Sequence, residues 1–122
     1  MAATSNERRL TTHVLDTMSG RPAAGMAFRL SRLDGTARTE IKAGSTNGDG
    51  RCDAPLLTGG DMTPGLYELE FDVGGYFAKA APNHASDFLD TVPVRFRIDA
   101  EPPHLHVPLL VSPYGYSTYR GS

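Results

Sequence analysis

Two histidines, His104 and His106, stand two residues apart in the run His104-Leu105-His106-Val107-Pro108-Leu109-Leu110. In an extended strand that spacing turns both imidazoles to one face. Imidazole titrates near neutrality, so such a pair suits proton transfer, and it suits a metal ion such as zinc equally well. Further on, the sequence closes with Tyr119-Arg120-Gly121-Ser122, two hydroxyl-bearing side chains and a guanidinium within four residues. Chain ends are usually forgiving tails. Polar groups packed this densely are expected to form a site built from the C-terminus and its carboxylate. The other candidates are blander by pattern alone. His13, isolated on an early strand pattern, reads as a structural histidine, and Arg51, just after Asn47-Gly48-Asp49-Gly50, reads as a solvated hairpin charge. Cys52 lacks any nucleophile motif and reads as a small buried residue, and His84 falls in a loop. No G-x-S-x-G elbow is present to support a covalent acyl-enzyme.

These groups must be held by a small scaffold. At 122 residues there is room for one domain and one core. The 12 basic and 14 acidic residues leave a net charge of -2 without a basic patch, so neither nucleic acid nor an anionic membrane is an expected partner. A single cysteine cannot form an internal disulfide, which suits a reducing compartment. The opening MAATSNERRL has no apolar stretch of a secretory signal, no run approaches a membrane span, and RGS is not a peroxisomal address. A cytoplasmic location is expected.

Thirteen glycines and nine prolines cut the chain into short pieces with period-two patterning, the signature of an all-β sandwich or barrel. Residues 1–8 read as a disordered lead-in and residues 9–122 as the domain. Strands are expected over 10–16, 26–33, 36–45, 65–73, 91–98, 104–111 and 114–120, about eight in two antiparallel sheets. The polar 36–45 strand and the 91–98 strand, interrupted by Pro93, are expected at edges. Gly74-Gly75 should stop the 65–73 strand, and 76–81 is the one stretch composed like a helix, stopped by Pro82. Residues 82–90 read as an irregular loop with no functional residue.

Alternation sends Leu105, Val107, Leu109 and Val111 to a core face, and His104, His106, Pro108, Leu110 and Ser112 to a mixed face that should cover a ligand or a second subunit. Tyrosines on both sides of the last strand suggest burial on both sides, hence an oligomer.

Three stretches carry a family resemblance: Thr12-His13-Val14-Leu15-Asp16, Asp49-Gly50-Arg51, and the run from His104 through Ser112-Pro113-Tyr114-Gly115-Tyr116 to Tyr119-Arg120-Gly121-Ser122. Over residues 9–122 the chain resembles the 5-hydroxyisourate hydrolases, the transthyretin-like enzymes of urate breakdown. The terminal YRGS is the mark of the enzymes; the hormone-carrying transthyretins share the fold and lack it. Leu105 stands where an aromatic is common in the family. The resemblance implies a transthyretin-like sandwich with one short helix, assembled as a homotetramer, a dimer of dimers with active sites in the inter-subunit channel. It implies catalytic roles for His13, Arg51, His106 and Ser122, substrate binding by His13, Arg51, Tyr119, Arg120 and Gly121, and a supporting position for His104. Neither metal nor organic cofactor is implied, because opening the ring needs only water. The alternative is a carrier that binds a small aromatic ligand in the channel without catalysis. Such a channel wants apolar walls, and this chain offers imidazoles and a guanidinium.

Overall fold

The computed structural model describes residues 8–84, 88–101 and 103–121. The expected lead-in lies outside the described residues except for Arg8, whose guanidinium donates to the Met62 carbonyl oxygen at 2.8 Å.

In chain order the strands are β1 (Arg9–Asp16), β2 (Arg21–Pro22), β3 (Ala27–Asp34), β4 (Ala37–Ser45), β5 (Leu57–Thr58), β6 (Gly65–Asp72), β7 (Thr91–Ile98), β8 (His104–Ser112) and β9 (Gly115–Thr118). They form two sheets: β2-β1-β8-β9, with β5 paired to the start of β1, and β4-β3-β6-β7. The sandwich is the expected fold class. The two-residue strands β2 and β5 are too short to leave a period in the sequence. The polar β4 and the Pro93-bearing β7 lie at the two edges of their sheet, as expected.

One pair departs from antiparallel order. Strands β1 and β8 run parallel, in register from Arg9 opposite His104 to Asp16 opposite Val111. A parallel pair needs a long crossover; here the whole second sheet lies between the two strands in sequence. In this register Arg9, Thr11 and His13 share one outward face with His104 and His106, while Leu10, Val14, Leu105, Val107 and Leu109 turn inward. Those inward residues pack against Leu30, Tyr67, Leu69, Phe71 and Ile98 of the second sheet. Burying each such large side chain contributes roughly 1.5–3 kcal/mol, which fixes the register and with it the outward face.

Helix α1 spans Val73–Ala80, three residues earlier than its composition suggests. Asp72 ends β6 and caps the helix, its side chain accepting from the Gly75 amide at 3.0 Å. Gly74 lies hard against Asp90, where a Cβ would meet the carboxylate Oδ1 at 2.8 Å. The glycine pair therefore permits close packing inside the first helical turn instead of ending a strand. Tyr76 on α1 donates to Asp16 Oδ2 at 2.8 Å. Asp16 Oδ1 accepts the amides of Met18 and Ser19 at 2.9 and 3.1 Å, so this buried carboxylate closes the turn after β1 and holds the helix to it. Burial and the neighbouring carboxylate push the Tyr76 phenol up to about 12.

On the outer face of the second sheet, buried Glu68 bonds Arg38 at 2.7 Å and Arg95 at 3.1 Å. Burial alone would raise its carboxyl, but the two guanidinium hydrogen bonds outweigh it and hold the group below its usual range.

Candidate active site

The Asn47–Arg51 loop delivers the guanidinium. Asn47 organises it: its side-chain oxygen accepts the Asp49 and Arg51 amides at 2.9 and 3.1 Å, and its own amide donates to the Arg51 carbonyl oxygen at 2.7 Å. Gly50 has φ +74°, and its carbonyl oxygen accepts the Val14 amide at 2.8 Å. A Cβ there would collide with the Val14 carbonyl oxygen at 2.5 Å, so only glycine lets the loop lie against β1. The result is a bridge pairing His13 with Arg51. What reads in sequence as a solvated hairpin charge is placed beside an imidazole.

The β1–β8 pairing supplies the rest. His104, His106, Thr11, Arg9, Arg51 and Cys52 line one cleft of about 470 Å³. The Thr11 hydroxyl lies 2.8 Å from His106 Nδ1 and 3.0 Å from His104 Nε2, between rings whose centroids are 6.4 Å apart. Arg9 and Thr11 were not candidates by sequence. Their shared face with His13 is visible in the alternation of β1, but the strand that lies beside that face is not.

Beyond β9 the chain continues antiparallel along β8 in the same register, and the Gly121 amide donates to the His106 carbonyl oxygen at 2.8 Å. A Cβ at Gly121 would lie 2.8 Å from His106 Cδ2, so the backbone there covers the imidazole as closely as a glycine allows. Tyr119 and Arg120 do not join this cleft within the chain. They line another, of about 310 Å³, with Phe96, Leu105 and Val107 on the opposite side of β8. Ser122 lies outside the described residues. One chain thus brings Arg51, His104 and His106 into one cleft, pairs His13 with Arg51 outside that lining, sets Gly121 against His106, and directs Tyr119 and Arg120 elsewhere.

The electrostatics favour neutral imidazoles. Burial, then the charge of Arg51, depress His106, with further contributions from His104 and His13. Burial and Arg51 also lower His13, against a smaller upward pull from the Asp49 backbone hydrogen bond and carboxylate. A neutral imidazole at neutral pH has a lone pair available as a base. Burial raises the Cys52 thiol, keeping it protonated and a poor nucleophile, in keeping with its packing against the core.

Fold and cleft together define a small β-sandwich that carries a polar, proton-accepting site on the outer face of one sheet. The chain belongs to the HIUase/Transthyretin family, whose model matches residues 10–121. It is 59% identical over 117 residues to a 5-hydroxyisourate hydrolase of Mesorhizobium japonicum, covering 93% of this chain and 92% of that one. Among solved structures, the 5-hydroxyisourate hydrolase of Klebsiella pneumoniae superposes with a TM-score of 0.77 at 34% identity, covering 93% of this chain and 99% of that one. An (S)-allantoin synthase superposes with a TM-score of 0.85 at 46% identity; 95% of this chain matches 44% of that longer one.

Proposed function

We propose that this chain hydrolyses 5-hydroxyisourate to 2-oxo-4-hydroxy-4-carboxy-5-ureidoimidazoline, a step of urate breakdown. The observation that carries the reading is one cleft lined by Arg51 and His106, with His13 paired to Arg51, in a member of a family whose near relatives bear the hydrolase name. The reaction needs a base to take a proton from water, a donor for the oxygen that gains negative charge, and an acid for the leaving nitrogen. A depressed imidazole supplies the base, at His106 with His13 beside it. The Arg51 guanidinium stays charged and offers a planar fork of donors to the substrate's oxygens. Tyr119 and Ser122 are assigned to wall the pocket and to polarise water, and Arg120 and Gly121 to bind substrate. No cofactor is assigned.

The same reading takes the working form to be a cytoplasmic homotetramer. The exposed Tyr114, Tyr116 and Tyr119, and the edge strands β7 and β9, support burial against other copies of the chain. Tyr119 and Arg120 lie across β8 from the imidazoles of their own chain, which suits a contribution to a neighbouring protomer's channel. A charged, imidazole-bearing cleft favours catalysis over a carrier role. The test is direct: 5-hydroxyisourate is generated in situ by enzymatic oxidation of urate and its ultraviolet decay is followed with and without the protein. Decay at the spontaneous rate would reject the hydrolase, and a monomer by size-exclusion light scattering would reject the assembly.

A further inference from the structure

Among the described residues, the Thr11 hydroxyl lies within hydrogen-bond distance of both imidazoles of β8. Its Oγ1 stands 2.8 Å from His106 Nδ1 and 3.0 Å from His104 Nε2. The contact is imposed by the parallel register, which sets Thr11 opposite His106 and Arg9 opposite His104. A hydroxyl owns a single hydrogen, so the two rings cannot both present lone pairs to it. Two arrangements use that hydrogen within the group. In the first, His106 Nδ1–H donates to Thr11, Thr11 donates to His104 Nε2, and His106 Nε2 keeps a lone pair. In the second every bond is reversed: His104 Nε2–H donates to Thr11, Thr11 donates to His106 Nδ1, and His106 Nε2 carries hydrogen.

We propose that Thr11 is a positioning residue that couples these tautomers, relaying a hydrogen from His106 Nδ1 to His104 Nε2 while His106 Nε2 takes the proton of the attacking water. The inference rests on the assignment of His106 as the water-activating base. The step balances. Water loses one proton and becomes the hydroxide that bonds to the ring carbonyl carbon. His106 gains that proton on Nε2 and gives up the one on Nδ1. Thr11 receives one hydrogen and passes on its own, and His104 ends as an imidazolium. His106 is left neutral beside Arg51, with its Nε2–H ready to protonate the leaving nitrogen. The charge has moved one ring along, across the 6.4 Å between the ring centroids. The charged and titratable groups facing the relay are Arg51, Asp53 and Cys52 from the loop, Arg9 and His13 from β1, and His104 from β8 itself.

The coupling has a signature in the pH profile. With Thr11 present, a proton on either ring blocks the base, so the acid limb of kcat/KM reports the first protonation of the pair. With the hydroxyl removed, a proton on His104 no longer sets the state of His106, and the limb reports His106 alone, at lower pH. Thr11→Val keeps the β-branched shape suited to a strand, and Thr11→Ser keeps the hydroxyl. The expected result is a fall in kcat of about tenfold for Thr11→Val, a fraction of what a positioned base contributes, with KM little changed and the acid limb moved to lower pH. Thr11→Ser should restore both. A Thr11→Val enzyme with wild-type kcat, or one slowed with its limb unmoved, would overturn the relay. His106→Ala, assayed alongside, separates the two levels. If it keeps the wild-type rate, the base assignment falls and the relay with it. If it is inactive while Thr11→Val matches wild type in rate and limb, the relay alone falls.

Discussion

Replacing Gly121 with alanine adds one methyl group hard against His106. The new carbon would stand 2.8 Å from His106 Cδ2, 3.0 Å from its Cβ and 3.2 Å from its Cγ. Carbon atoms rest at roughly 3.5–4.0 Å, so relief requires a displacement of roughly 0.7–1.2 Å. The ring cannot swing clear, because the overlap includes its own Cβ, rooted in a strand that β1 holds in register at that position. Either the imidazole tilts or the terminal segment lifts, breaking the 2.8 Å Gly121–His106 backbone bond, whose net worth is about 0.5–1.5 kcal/mol. Misplacing a reacting group by about 1 Å can cost on the order of 10²-fold in rate. Gly121→Ala is therefore expected to lose on the order of 10²-fold in kcat/KM in the 5-hydroxyisourate decay assay. Its melting temperature should fall by no more than a few degrees, since the segment lies beyond β9 and outside the core. Wild-type kcat/KM in Gly121→Ala would refute the idea that this backbone holds His106 in working position.

Other substitutions test the remaining parts. His106→Ala and Arg51→Ala should each lower the rate by about 10²-fold or more with the fold intact by circular dichroism. Because burial and Arg51 depress both His13 and His106, Arg51→Gln, which removes a repelling cation, should move the acid limb of the activity to higher pH. The same depression means that the unfolded chain takes up protons first. The stability these two groups contribute is complete above about pH 6.5 and is lost as pH falls through and below it, a trend that melting curves between pH 8 and 5 would register. Tyr76→Phe removes one of the donors to the buried Asp16 carboxylate and is expected to cost about 1–3 kcal/mol, seen as a melting temperature lower by several degrees, with the hydrolysis rate unchanged.

Period-two alternation made most strands legible, and it correctly divided β8 into a core face and an imidazole face. The helix start was missed because Gly74-Gly75 signals a breaker in isolation. The close approach of Asp90 that explains Gly74 comes from a residue sixteen positions away. For the site, local pattern identified the β8 histidines but treated Arg51 and His13 as ordinary. Nothing near Arg51 reveals that Gly50 will press the loop onto β1. The family resemblance supplied both residues. Neither pattern nor resemblance singled out Thr11, because its role depends on a parallel pairing between strands at opposite ends of the sequence, and alternation carries no information on which strand lies beside which.

That pairing also sets when the enzyme can begin to work. Thr11 and His106 are separated by 95 positions along the chain, and joining ends so distant costs about 4 kcal/mol of loop entropy. A polypeptide still emerging from the ribosome carries His13 and Arg51 well before it has the imidazoles of β8. Reactivity should switch on abruptly, with the last long-range closure of the sandwich, and should be the first property lost when β8 pulls away from β1.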